Sequence, residues 1–276
     1  MANLRIIYDN AADRATISAS SVAGAMLPVA LQNDTKSDVW RSTSTSAALT
    51  LTWQTSEVVT AVALCYSNLT SQAMIRISGF TNAADTVPVF VSNYIFACPA
   101  APFEQFGWGR AALGLNAYMY GGSIAQAWLP TPLILQKLLI EVVDTSNLAE
   151  YIEVGRVIAG DYWSPERSAE LGATITIVDA SKHYRTDAGD LLTDMATRHR
   201  KQNIAPAVMA GADRTRLWEI LWGGGIARPV FFSLYPEARD TLLEQTHSMY
   251  CKLNVMPVMT TPFFNRFTAQ LELEEV

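Results

Sequence analysis

The chain has 276 residues, of which 50% are hydrophobic and 17% charged, with a net charge of −6. That length suits two domains with sizeable cores, while the charged fraction, below the roughly 25% of ordinary soluble domains, points to surface covered by a partner. The balance excludes a broad basic face for nucleic acid, and three widely spaced cysteines (Cys65, Cys98, Cys251) with no C-x-x-C exclude a closed disulfide framework.

The N-terminus, Met1-Ala2-Asn3-Leu4-Arg5, carries no basic-then-apolar signal pattern. No apolar stretch reaches the length of a membrane span. The expectation is a soluble chain without an export signal, made in a reducing cytoplasm with its cysteines buried as small hydrophobes. Residues 49–53 (LTLTW) alternate cleanly, 58–66 form a longer apolar run, and 73–80 alternate again. Residues 99–122 break the rhythm with Pro, Gly and aromatic side chains, among them Trp108, Tyr118 and Tyr120. They read as a long ordered loop, of the size that is often functional or interfacial. Strands follow at 138–143 and 151–159. Short strands with turn signals between them and no long helical period predict a β-sandwich for the first half.

Gly160-Asp161-Tyr162-Trp163-Ser164-Pro165 reads as a hinge. In the second half the sequence predicts one helix near residues 213–222. Asp213 caps its start, Leu217, Trp218, Ile220 and Leu221 form its stripe, and Gly223-Gly224-Gly225 stops it. Strands are expected at 197–208, 228–234, 249–259 and 265–274. The last strand alternates to the end, with Phe267, Ala269, Leu271 and Leu273 on one face. A β-barrel-like unit with one helix packed across it results.

The chemistry-bearing residues are sparse. The basic segment Arg198-His199-Arg200-Lys201 follows Asp187, Asp190 and Asp194, which lack the spacing and terminal Glu of an EF-hand and read as turn and helix-start residues or as partners of the nearby arginines. His183, beside Tyr184, Arg185 and Asp187, reads as part of a hydrogen-bonded turn. His247 lies four residues before Cys251, yet no nucleophile motif surrounds that thiol. The glycine triplet follows a helix instead of opening one, so it is not a phosphate loop. Neither a catalytic set nor a cofactor site is expected, and the chain reads as a non-enzyme.

Four short segments carry a resemblance: Ala19-Ser20-Ser21, Leu31-Gln32-Asn33-Asp34, Val39-Trp40-Arg41-Ser42 and the strand at 49–53. In this order residues 12–144 resemble the galactose-binding-like (discoidin-type) jelly roll. Some such domains hold a structural calcium, which makes Asp34 and Asp38 weak metal candidates against the simpler reading of a solvated turn. Jelly-roll modules also stack sugars on aromatic rings, so Trp108, Tyr118 and Tyr120 are candidates for contact with glycan or with another subunit.

The whole chain is similar to minor tail or distal tail proteins of long-tailed phages with non-contractile tails. That resemblance is carried by Tyr162-Trp163-Ser164-Pro165, residues 179–194 (DASKHYRTDAGDLLTD), Thr197-Arg198-His199-Arg200-Lys201, Arg228-Pro229-Val230-Phe231 and the acidic closing strand. It implies a mainly β protein with a galactose-binding-like sandwich over residues 1–160 and a tail-tube-like split β-barrel with one packed helix over 161–276. The implied role is a ring that joins the tail tube to the tip or hub of the virion tail, with the jelly roll outside. The implied partners are further copies of itself, tail-tube protein, hub or tip proteins and a host glycan. Six-fold rings are usual for distal tail proteins and three-fold ones for hubs. The genome would pass through the lumen without specific binding.

Overall fold

The computed structural model describes residues 3–99, 122–169, 172–205, 209–264 and 266–276. The chain is mainly β, built from open antiparallel sheets, as the spacing of its apolar residues predicts. It divides into two compact units. The first comprises Met1–Ser164 and Val230–Tyr250, the second Pro165–Pro229 and Cys251–Val276. The single cut expected at residue 160 therefore differs from the observed division, because 230–250 returns to the first unit.

Two long strands, Ser46–Ser67 and Ser123–Val143, organise the first unit. They pair antiparallel from Ser46↔Val143 to Ser67↔Ser123, with register shifts after Thr52, Val59 and Leu64. The first shift coincides with the polar residues 54–57, and the second, between Val59↔Leu133 and Ala61↔Trp128, with the exposed Pro130-Thr131-Pro132 on the other strand. Proline donates nothing to a ladder, so it settles where the ladder is interrupted. Before the first shift Ala47, Leu49, Leu51 and Trp53 point inward between polar neighbours; beyond it residues 59–67 are buried on both faces. Thr16–Ala19 pairs with the first half of Ser46–Ser67, and Glu153–Gly160 with the second. Met74–Phe80 pairs with the end of Ser123–Val143, and Phe90–Val91 and Ile95–Phe96 lie on its outer edge. The bends wrap both halves around one apolar core, which makes a β-sandwich.

The segments that carried the jelly-roll resemblance meet in this unit. Trp40 is fully buried and donates its indole N–H to the Ser21 carbonyl at 3.1 Å. Ser20 Oγ accepts from Ala48 N. Leu31 packs in the same core from a short 3-10 helix, Pro28–Gln32. A second α-helix, Thr241–Thr246, was not expected from sequence. It is capped by Asp240, whose carboxylate accepts from Leu242 N and Leu243 N. Six residues are too few to show a helical period.

In the second unit Thr174–Asp179, Arg198–Ile204, Leu271–Glu275 and residues 251–253 pair in that order, all antiparallel. Ile204, Leu271 and Leu273 are buried there and Glu272 is exposed, as the alternation of the closing strand predicts. Among the described residues the sheet is open, with Thr174–Asp179 as an edge. The helix spans Gly211–Gly224 and ends at Gly225, whose φ of +57° suits glycine. Its cap differs from expectation. Ala210 is the capping residue, and Asp213 instead accepts from Glu166 N at 3.1 Å. Leu217, Ile220 and Leu221 are buried, but Trp218 turns to solvent. The strand expected at 265–274 is two strands interrupted at Gln270, and Asn265 lies outside the described residues. Residues 182–194 form a hairpin whose turn holds Asp187 and Asp190, as expected, while Asp194 ends its second strand where a helix start was expected.

Candidate functional site

Exposed apolar side chains concentrate in the second unit, on two hairpins and one helix face. The first hairpin pairs Lys182–Arg185 with Leu191–Asp194. Its turn forms because Gly189 takes a φ of +90°, Thr186 N donates to the Asp190 carbonyl, and Thr186 Oγ1 accepts from Asp190 N. Every residue of both strands is exposed, including Tyr184, Leu191 and Leu192, and Met195 just beyond them is 86% exposed.

The second hairpin pairs Met259–Phe263 with Arg266–Ala269 and presents Phe263 and Phe264 near its end, 69% and 99% exposed. At its base lies a cleft of about 390 Å³ lined by Ala205, Val255, Met256, Val258, Thr260 and Thr268, with Glu272 also on its wall. On the helix Gly211–Gly224, Trp218 and Trp222 are one turn apart and stack at 6.3 Å; Trp222 is 82% exposed. A solvated monomer rarely leaves so many large apolar groups uncovered in a unit of this size.

The basic segment does not form an open cationic patch. On the strand Arg198–Ile204, Arg198 Nε meets Asp179 Oδ2 at 2.8 Å and Arg200 meets Glu275 Oε1 at 3.0 Å. His199 Nε2 lies 2.9 Å from Glu274 Oε1, and Lys201 Nζ lies 3.0 Å from Glu274 Oε2. The acidic closing strand thus neutralises the basic one across the register Lys201↔Glu274. Hydrogen bonds from Ser181, then from Arg198, hold the Asp179 carboxyl well below the usual range.

In the first unit the conspicuous polar cluster is structural in form. Arg156, its side chain only 3% exposed, binds Asp13 at 2.8 Å and donates to Tyr250 Oη at 3.1 Å and to the Leu31 carbonyl at 3.3 Å. Tyr250 donates its hydroxyl to Asp34 Oδ1 at 2.6 Å. Burial is the main reason that the Tyr250 hydroxyl and the Asp13 carboxyl both stand above their ordinary pKa values. Asp34 therefore faces a phenol and, at 3.5 Å, the Arg156 guanidinium, while Asp38 accepts from Asn33. A calcium shell needs six to eight oxygens free of cations, and among the described residues no group of three acidic, histidine or cysteine side chains is arranged for a metal.

Trp108, Tyr118 and Tyr120 lie outside the described residues. His183 Nδ1 sits 2.9 Å from Thr193 Oγ1 on the first hairpin. His247 ends the helix Thr241–Thr246, with Nδ1 3.0 Å from the Leu243 carbonyl and its ring edge-on to Tyr235. All three cysteines are buried thiols that form no disulfide among the described residues, and burial pushes the Cys98 thiol up to about 12. Sequence reasoning missed the Phe263-Phe264 tip and the cleft. The available signal was the run Val255-Met256-Pro257-Val258 followed by Pro262-Phe263-Phe264, apolar at positions where a turn should be polar. A further aromatic group, Tyr94, lies on the edge of the first unit over Arg76 at 4.8 Å, and Arg76 pairs with Glu141 at 2.6 Å.

No known protein-family profile matches the chain, and no curated protein matches it. Several solved structures are similar over about half of it. One is chitosan-binding module 1 of a chitosanase/glucanase from Paenibacillus sp. IK-5, at 14% identity over 55% of this chain and 99% of that one, with a TM-score of 0.37. A second is a family 32 carbohydrate-binding module from Clostridium perfringens in complex with galactose, at 9% identity over 58% and 99%, with a TM-score of 0.39. A third is a fucose-binding module from Streptococcus pneumoniae, at 10% identity over 56% and 99%, with a TM-score of 0.37.

Proposed function

We propose that the protein is a non-enzymatic assembly subunit of a phage tail tip, which associates with copies of itself through its second unit and joins the tail tube to the tip or hub. The observation that carries the reading is the exposure of Tyr184, Leu192, Met195, Trp222, Phe263 and Phe264 on projecting hairpins and a helix face of one unit. Aromatic and Met side chains are the residues enriched at interface cores. The open edge Thr174–Asp179, with Ile175 and Ile177 exposed, adds a row of unpaired backbone groups that a neighbouring subunit would cover. The tail-tip assignment itself rests on the sequence resemblance of residues 162–165, 179–194, 197–201 and 228–231. Ring contacts of this kind are heterologous and close by rotation. The test is antibody-gold labelling of tailed particles from a producing culture, viewed by negative-stain electron microscopy. Gold at one end of the tails supports the reading. Particles bare of gold both intact and after disruption, with the antibody active on the denatured chain, would overturn it.

A second reading gives the first unit a glycan-recognition role. Tyr94 offers an exposed ring beside the Arg76–Glu141 pair, and Phe96 is exposed two residues on. A flat ring next to fixed polar groups is the chemistry that holds a sugar. Titration of the protein with chitosan fragments, galactose and fucose, the ligand types of the similar modules, tests it. Binding lost on Tyr94→Ala supports it, and the absence of binding to all of them counts against it.

A further inference from the structure

We infer that the hairpin end bearing Phe263 and Phe264 seats in the cleft beside Val255, Met256 and Val258 of a second copy of this chain. The inference rests on the assembly reading and names the contact that performs it. The hairpin end is the most solvent-exposed apolar group in the second unit, with Phe264 99% exposed. It cannot reach the cleft of its own chain. Thr260 and Thr268 line that cleft from the base of the same paired hairpin. At roughly 3.3 Å per residue, the strands carry Phe263 and Phe264 about 10 Å beyond the cleft. A cleft of about 390 Å³ with mostly apolar walls accepts groups of this size.

Charge selects the same occupant. Arg266, exposed beside the two phenylalanines, meets no carboxylate among the described residues. Glu272, on the cleft wall, takes a 3.5 Å contact from the Asn254 amide and meets no cation among the described residues. An apolar end flanked by a cation and an apolar cleft flanked by an anion, neither ion-paired among the described residues, complement each other, and both belong to one chain. The contact uses different surfaces on its two sides, so it propagates head to tail and closes into a ring when the rotation per subunit allows.

The test uses full-length chains. One carries Phe264→Cys and the other Met256→Cys; both positions are exposed, and the three native thiols are buried. Mild oxidation of the mixture is expected to give a disulfide-linked pair of unlike chains in clear excess over either like pair. Like pairs formed as readily as the unlike pair would overturn the inference. In parallel, Arg266→Glu and Glu272→Arg should each weaken self-association at least tenfold by sedimentation, and the two combined should restore it. If the parent chain self-associates and Phe264→Asp does so equally well, this contact is wrong while the assembly reading stands. A parent chain that stays monomeric at every concentration overturns both.

Discussion

Replacing Arg156 with methionine removes the guanidinium that joins three parts of the first unit. Its side chain is 3% exposed and contacts Asp13, the Tyr250 hydroxyl and the Leu31 carbonyl. Breaking a buried ion pair from one side costs about 3–5 kcal/mol. Here Asp13 is 44% exposed and can rehydrate, which places the cost near the low end. The Leu31 carbonyl, left without its donor, adds about 1 kcal/mol. A loss of roughly 3–4 kcal/mol in a unit of this size lowers Tm by about 6–16 °C. Differential scanning calorimetry of parent and variant reads the shift directly. Asp13→Asn is the companion variant. Burial raises the folded pKa of Asp13 above 3.8, so its protonated form is favoured by folding. That stabilisation is complete below 3.8 and is lost as pH rises through the raised folded value; Asp13→Asn should flatten this part of the pH dependence. An Arg156→Met transition within about 2 °C of the parent would refute the reasoning.

Three further outcomes follow from the geometry. Gly160→Ala places a Cβ 2.6 Å from the backbone oxygen of Asp9, so the strand must move, and thermal unfolding should show a loss of more than about 1 kcal/mol. Native protein treated with iodoacetamide at pH 8 should remain unmodified at Cys98, whose thiol is buried and pushed up to about 12, and should react only after unfolding, as read by peptide mass spectrometry. In the second unit Arg200→Ala should destabilise by about 3 kcal/mol or more, because the side chains of Arg200 and Glu275 are 9% and 6% exposed, whereas Lys201→Ala should cost under about 1 kcal/mol; chemical denaturation of both separates the two.

Much of the fold was legible because burial leaves a period in the sequence. Residues 49–53 and 73–80 alternate and face one core, and the apolar run is covered on both faces from Val59 to Tyr66, with Val58 exposed at its start. The sequence does not say that 49–53 and 58–66 belong to one bent strand, since the polar residues between them read as a turn. The Gly-terminated helix was readable from Leu217, Ile220 and Leu221, but Trp218 was not placed correctly. Its hydrophobicity assigns it inward, while its position on the helix turns it to solvent beside Trp222. The hairpin at 182–194 was missed because its strands bury nothing within the chain, so no inside-outside alternation was imposed on them. The candidate interface escaped for the same reason: side chains that bury nothing within the described chain write no inside-outside period into it.

The central claim is that the second unit is completed by other copies. Sedimentation velocity of the purified full-length chain across a wide concentration range tests it most directly. Species at multiples of the 30.3 kDa chain mass are expected, shifting to smaller ones when Phe264 is replaced by aspartate. A single 30.3 kDa species at every concentration would contradict it.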